Sequence, residues 1–175
     1  EALPFGKDIN LIVTSDHGMT DISPERVVNI NDYVKPEWCE VIDGRTPTSI
    51  FSKPEYRDSI CNALKKAAHI HVWKKEEIPA ELHYGSSDRI GDIVVAPELG
   101  WQFTDVARDT KGAHGYFPQS PDMQVMFRAI GPDFKRGYIS GGFVNVDIYP
   151  LLSHLLQIVP EKTDGQFKRI KEILR

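Results

Sequence analysis

Long apolar runs are missing from these 175 residues. The longest unbroken ones are a few residues, as in Ile93-Val94-Val95-Ala96, far short of the ~20 that a membrane-spanning helix needs. Cysteine is scarce as well. Cys39 and Cys61 are too few for a disulfide scaffold and lack the close spacing of a zinc knuckle, although one bridge between them stays open. Nor is there an excess of positive charge: 21 bases against 25 acids leave a net −4, which argues against binding a nucleic-acid duplex through a basic stripe. No Gly-x-Ser-x-Gly elbow and no glycine-rich phosphate loop occur, so Ser-His-Asp catalysis and P-loop or dinucleotide binding find no support. Repeats, low-complexity tracts and linkers are absent, and no internal domain boundary is expected across residues 1–175.

What is present describes a folded chain. The residues are 41% apolar and 10% aromatic, and the length suits one domain with a real core. The chain opens with Glu1, without an initiator Met or a signal-peptide pattern. By Ile9 it has entered Ile9-Asn10-Leu11-Ile12-Val13-Thr14, a run typical of a strand buried on both faces. The expectation is a processed chain or a fragment lacking its N-terminal portion.

Arg26 to Ile30 predicts a second short strand, with Asn31 or Asp32 capping a turn through Val34. Trp38 to Ile42, the turn Asp43-Gly44 and Thr46 to Ser52 read as a hairpin. After Pro54, Tyr56, Ile60, Ala63, Leu64 and Ala67 form a helical apolar stripe. His69 to Trp73, Asp92 to Ala96 and Gln124 to Ile130 read as strands, and about Ile148 to Ile158 as a helix with Asp147 as its N-cap. Phe167 to Arg175 is basic and amphipathic and predicts a docked terminal helix. Interleaved strands and helices with one intruding hairpin give an α/β fold with a mixed sheet flanked by helices.

The strongest chemical signal is Thr14-Ser15-Asp16-His17-Gly18-Met19, at the carboxyl end of the first strand. Open α/β sheets place their sites there, and an Asp beside a His offers a hard oxygen and a borderline nitrogen ligand, both acceptable to zinc. The bland alternative is that Asp16 caps the next turn and His17 lies on a surface loop. The second signal is Gly112-Ala113-His114-Gly115-Tyr116, where glycines allow the backbone close to a ligand. Together the two suggest three ligands, Asp16, His17 and His114, from two converging loops. His69 and His71 fit a solvated strand face, His83 a loop, and His154 a structural position in the last helix. Lys74-Lys75 beside Glu76-Glu77 cancel and mark a solvated surface.

The Thr14–Met19 motif resembles the metal motif of the nucleotide pyrophosphatase/phosphodiesterase family of the alkaline-phosphatase superfamily. Other segments are similar to that family in the expected order: 72–79, 82–84, 89–94, 112–116, 126–135, 145–152 and Asp164-Gly165. The resemblance covers nearly the whole chain. It implies the C-terminal part of a single catalytic domain, N-terminally incomplete here and most similar to bacterial members. It implies two zinc ions, with Asp16 and His17 on the one that activates a Thr nucleophile and His114 on the one that holds the phosphate. The Thr and the remaining ligands belong upstream of Glu1, so no catalytic nucleophile lies in this chain and the isolated piece is expected to be inactive. Where the family has Asp-Asn after His-Gly-Tyr, this chain has Phe117-Pro118. The activity implied is zinc-dependent hydrolysis of phosphodiester or nucleotide pyrophosphate bonds in a small substrate, outside the cytoplasm. The alternatives are a phosphomonoesterase, phosphonate hydrolase or phosphomutase of the same superfamily, or a non-catalytic binding module on the same fold.

Overall fold

The computed structural model describes residues 6–103 and 111–175. In chain order the strands are β1 (Leu11–Thr14), β2 (Thr20–Asp21), β3 (Val27–Val28), β4 (Cys39–Gly44) and β5 (Thr48–Ser52). They continue as β6 (Ile70–Lys74), β7 (Ile93–Pro97), β8 (Gln102–Phe103), β9 (Gly112–Ala113) and β10 (Phe127–Ile130). Among the described residues two α-helices, α1 (Arg57–Leu64) and α2 (Ile148–Leu155), and several 3₁₀ turns join these strands. The chain forms two compact units, one of residues 1–16 with 125–175 and one of residues 17–124.

The 17–124 unit is built on a four-stranded antiparallel sheet in the order β4-β5-β7-β6. The central position of β7 explains its unbroken apolar sequence: paired on both edges, it buries Ile93, Val94 and Val95. The β4–β5 hairpin forms as expected, but Asp43 and Gly44 belong to the strand and Arg45-Thr46-Pro47 make the turn. Pro54 opens a 3₁₀ turn that runs into α1, whose Ile60 and Leu64 are fully buried. Each such side chain contributes about 1.5–3 kcal/mol through its removal from water. Their partners are Ile50, Ile93, Val95 and Val34, with Trp38 stacked on Tyr56 at 5.6 Å. Cys39 and Cys61 are both free thiols in this core, so the bridge left open by the sequence does not form. Burial raises both thiols above their ordinary range. β3 pairs in parallel with β8, which makes the strand pairing of the unit mixed. The turn after β3 is capped by Asn29 rather than by Asn31 or Asp32, because the Asn29 side chain accepts from the Asn31 amide.

In the other unit β1 and β10 pair antiparallel, Leu11 opposite Ile130 and Thr14 opposite Phe127. The sequence predicts β1 as buried on both faces, and the structure differs. Leu11 is 55% and Val13 44% exposed, while Ile12 packs on the cluster of Phe134, Leu151, Ile170 and Ile173. The reason is that β1 belongs to a two-stranded ribbon whose Ile12 face alone packs within its own unit. The end of the chain docks as expected, but as two 3₁₀ turns, Phe167–Arg169 and Lys171–Ile173, instead of an α-helix. The Lys135 amide donates to the Ile173 carbonyl and the Arg175 amide to that of Asp133.

The α2 N-terminus also differs from expectation. Asp147 makes no side-chain cap; its carboxylate is fully buried and receives Nε and Nη2 of Arg169 at 2.7 and 2.5 Å and the Gln166 amide at 2.7 Å. Burial by itself would raise this carboxyl, but the Arg169 guanidinium and the Gln166 N–H outweigh it and hold it below the usual carboxylate range.

Candidate functional site

The two histidines marked by the sequence come together in the 17–124 unit. The β2–β9 bridge pairs Thr20 with Ala113 and Asp21 with Gly112, so the residues just before β2 face those just after β9. In that register the His17 and His114 rings stack, centroids 3.7 Å apart and planes 14° from parallel. His17 is half-buried and His114 exposed. The loop carrying His17 is pinned by the 3₁₀ turn Pro121–Met123. The Gly18 amide donates to the Met123 carbonyl, and Thr20 Oγ1 donates to Asp122 Oδ2 at 2.6 Å. Gly18 must lack a side chain, since a Cβ there would lie 1.9 Å from the Asp122 carbonyl oxygen.

The loop carrying His114 is fixed from its other side. Gly115 takes φ +90° and packs against Thr46, where a Cβ would meet the carbonyl oxygen at 2.1 Å. Tyr116 is buried, and its hydroxyl donates to the Trp101 carbonyl at 2.8 Å. Burial lifts its phenol above the ordinary range, so it stays a donor. Phe117 sets its ring edge-on to His71 and Trp73 with centroids 4.9 and 6.1 Å apart. Aromatic packing thus holds this stretch of chain.

The hydrogen bonding of the His17 ring leaves a nitrogen available for a metal. His17 Nδ1 lies 2.8 Å from the Gly18 carbonyl oxygen, which can only accept, so Nδ1 carries the proton. The neutral ring then keeps its lone pair on Nε2, the arrangement typical of ligating imidazoles. Among the described residues no group of three or more His, Cys, Asp or Glu side chains is gathered closely enough to hold a cation. Two imidazoles by themselves fall short of the roughly three protein ligands that a catalytic zinc ion needs.

Asp16 is the last residue of the other unit and precedes His17 in sequence. Ser15 Oγ donates to its Oδ1 at 3.3 Å, and Nδ2 of Asn145 donates to its backbone carbonyl at 2.7 Å. Asn145, Asp122, Thr46 and Trp101 are contributors that the sequence reading did not single out. The Pro121 start of a turn is a local signal for Asp122; the others act through contacts remote in sequence.

The remaining histidines do other things. His69 precedes β6 with φ +64°, stacks on Trp101 at 3.7 Å and places Nδ1 2.9 Å from Glu98 Oε2, so it does not alternate with His71 on the strand as predicted. His154 stacks on Phe167 at 4.4 Å within its unit. His83 ends a 3₁₀ turn in the left-handed region. The Lys74–Glu77 stretch is solvated but paired, Lys74 with Asp58 at 2.6 Å and Glu76 with Arg57.

The family model described as type I phosphodiesterase / nucleotide pyrophosphatase matches residues 2–117. A bovine bis(5'-adenosyl)-triphosphatase, ENPP4, is 35% identical over 99% of this chain and 39% of its own length. Human ectonucleotide pyrophosphatase/phosphodiesterase family member 5 is 34% identical over 95% of this chain and 35% of its own. The solved structure of murine member 5, an inactive form in complex with AMP, superposes with a TM-score of 0.87 at 35% identity, over 95% of this chain and 45% of that one. The chain thus spans less than half the length of these relatives, and it shares the α/β fold of the member 5 structures. On the extent of the family match and the level of identity, the chain belongs to the type I phosphodiesterase / nucleotide pyrophosphatase family.

Proposed function

We propose that this chain supplies metal-binding residues to a zinc-dependent enzyme that hydrolyses phosphodiester or nucleotide pyrophosphate bonds. It is read as the C-terminal portion of one catalytic domain. Asp16 and His17 would hold one ion, and His114 a second. The observation that carries the reading is the stacked His17–His114 pair, with His17 Nδ1 on the Gly18 carbonyl, in a member of this family. Bound zinc would lower the pKa of a hydroxyl nucleophile and offset charge on the phosphoryl group. The nucleophile, a Thr, comes from segments outside this chain.

The chain's own residues do the orienting. The Gly18 carbonyl fixes the His17 tautomer, and the Met123 carbonyl fixes the Gly18 amide. Gly115 and Tyr116 hold the His114 loop against Thr46 and Trp101. Such fixed contacts place ligands before substrate arrives, which lowers the cost of orientation at reaction.

The substrate class is a nucleotide or another small phosphodiester. This accords with an AMP-bound relative and with a diadenosine-triphosphate-cleaving one. Action outside the cytoplasm is part of the same proposal; no described helix is long and apolar enough to cross a membrane. Kinship to bacterial members is read from the sequence segments alone, and the relatives named above are mammalian. The test is to assay the polypeptide that carries this sequence, with its upstream segments, for zinc content and for cleavage of a nitrophenyl nucleotide ester. Zinc-dependent diester cleavage supports the reading. Activity without zinc, or on monoesters only, overturns it.

A further inference from the structure

Asn145 sits 129 positions from Asp16 in sequence, yet its Nδ2 reaches the Asp16 carbonyl oxygen at 2.7 Å. Its side chain is exposed, so packing alone does not account for its placement. Asn145 opens the 3₁₀ turn Asn145–Asp147, and the last residue of that turn is the buried Asp147. Arg169 clamps the Asp147 carboxylate through two nitrogens, and the Gln166 amide adds a third bond. The Asp147 amide closes the turn on the Val144 carbonyl at 2.9 Å. An exposed amide side chain is thus carried by a backbone turn that is itself anchored to a buried ion pair. All of these groups lie in the same unit.

We propose that Asn145 is a positioning residue for the Asp16-His17 peptide, set in place by the Asp147–Arg169 clamp. This rests on the reading of Asp16 and His17 as ligands. A carbonyl that accepts a hydrogen bond fixes the rotation of its peptide plane, and the plane between Asp16 and His17 determines how two successive side chains diverge. Turning that plane moves both ligands at once. Bonds that orient ligands from behind are worth roughly 10–100-fold in metal affinity when removed.

Two variants separate this from a merely structural role. Asn145→Ala removes the donor. Asn145→Asp keeps the shape, offers no donor when ionised and adds a negative charge that would by itself attract a cation. A purely electrostatic role therefore makes the Asp variant bind metal more tightly, whereas the brace makes it weaker. The readouts on the 175-residue chain are the Asp16 carbonyl ¹³C and His17 amide ¹⁵N shifts without metal, and the zinc concentration that half-shifts the His17 resonances. The expected result is a shift of both nuclei in each variant and roughly tenfold weaker zinc binding in each.

Unshifted Asp16 and His17 nuclei in Asn145→Ala would overturn the brace. So would zinc binding at wild-type strength or better in Asn145→Asp. If zinc moves no His17 resonance in the wild-type chain, the same titration on the longer polypeptide decides the metal arm. Failure there too counts against the ligand reading itself, and the metal-free shifts still judge whether Asn145 holds the peptide.

Discussion

Replacing Asp147 by Asn tests the physical core of the 1–16/125–175 unit. The wild-type carboxylate is fully buried and takes three hydrogen bonds, two of them from the Arg169 guanidinium. Removing one partner of a buried ion pair costs about 3–5 kcal/mol, because the other is left uncompensated. Here the side chain left behind is 36% exposed and can turn toward water, which favours the low end, about 3 kcal/mol. For a chain of this size that is a fall in Tm of roughly 6–12 °C. The loss should depend on pH with a definite sign. The folded carboxyl lies below its unfolded value, so its contribution is fully present above about pH 3.9 and fades as pH falls through the folded pKa. The gap between wild type and Asp147→Asn should therefore close in acid. Trp38, Trp73 and Trp101 all lie in the other unit, so tryptophan fluorescence does not report on this unit directly. Methyl resonances of the fully buried Leu151 and Ile170, followed through urea titrations at neutral and acid pH, report it directly. A gap under about 0.5 kcal/mol at neutral pH, the range of an ordinary surface substitution, would refute the argument. So would a gap that acid leaves unchanged.

Gly115→Ala should dislodge the His114 loop, since its Cβ would fall 2.1 Å from the Thr46 carbonyl oxygen at a φ that L-residues avoid; loss of the ring-current shift between His17 and His114 checks it. Phe117→Ala should lower the midpoint of urea unfolding read by tryptophan fluorescence, because each of its edge contacts to His71 and Trp73 is worth about 0.5–1.5 kcal/mol, and an unchanged midpoint would remove its anchoring role. Cys61, almost fully buried with its thiol raised by burial, should resist alkylation at neutral pH until the 17–124 unit unfolds. The 175-residue chain alone should show no turnover of a nitrophenyl nucleotide ester, and robust turnover would place the nucleophile within these residues.

Where a segment's neighbours are local, the sequence is a good guide. The hairpin of β4 and β5, the stripe of α1 and the apolar run of β7 are all found where pattern and turn residues place them. The end of the chain shows why pattern fails elsewhere. Phe167, Ile170 and Ile173 recur at the three-residue period of a 3₁₀ helix, while Phe167, Ile170 and Leu174 fit the i, i+3, i+7 stripe of an α-helix. The choice falls to tertiary contacts, here the bonds from Lys135 and Arg175 across to Ile173 and Asp133. Asp147 misleads for a related reason. An acid before a helix reads as a cap, but an Arg 22 residues on competes for it and wins with a paired geometry. In the site, His17 and His114 are legible as polar residues beside glycines at strand ends. Asn145 is not, because its only signal is a bond across 129 residues.

The glycines explain how exposed ligand candidates can be held firmly. Gly18 and Gly115 each lie where another segment's carbonyl occupies the space of a Cβ, Asp122 for the first and Thr46 for the second. Backbone thus packs on backbone, directly beside His17 and directly beside His114. Main-chain contacts of this kind fix the Cα positions of the neighbouring residues without enclosing their side chains. The imidazoles stay accessible, one half-buried and one exposed, while the loops that carry them lose most of their freedom. The chemistry of the site and the packing that positions it are therefore carried by different residues. Substituting either histidine removes little packing and should leave folding near normal, whereas substituting either neighbouring glycine should move the histidine while leaving its chemistry intact. A His17→Ala protein that unfolds as readily as a Gly18→Ala protein would show that this separation does not hold.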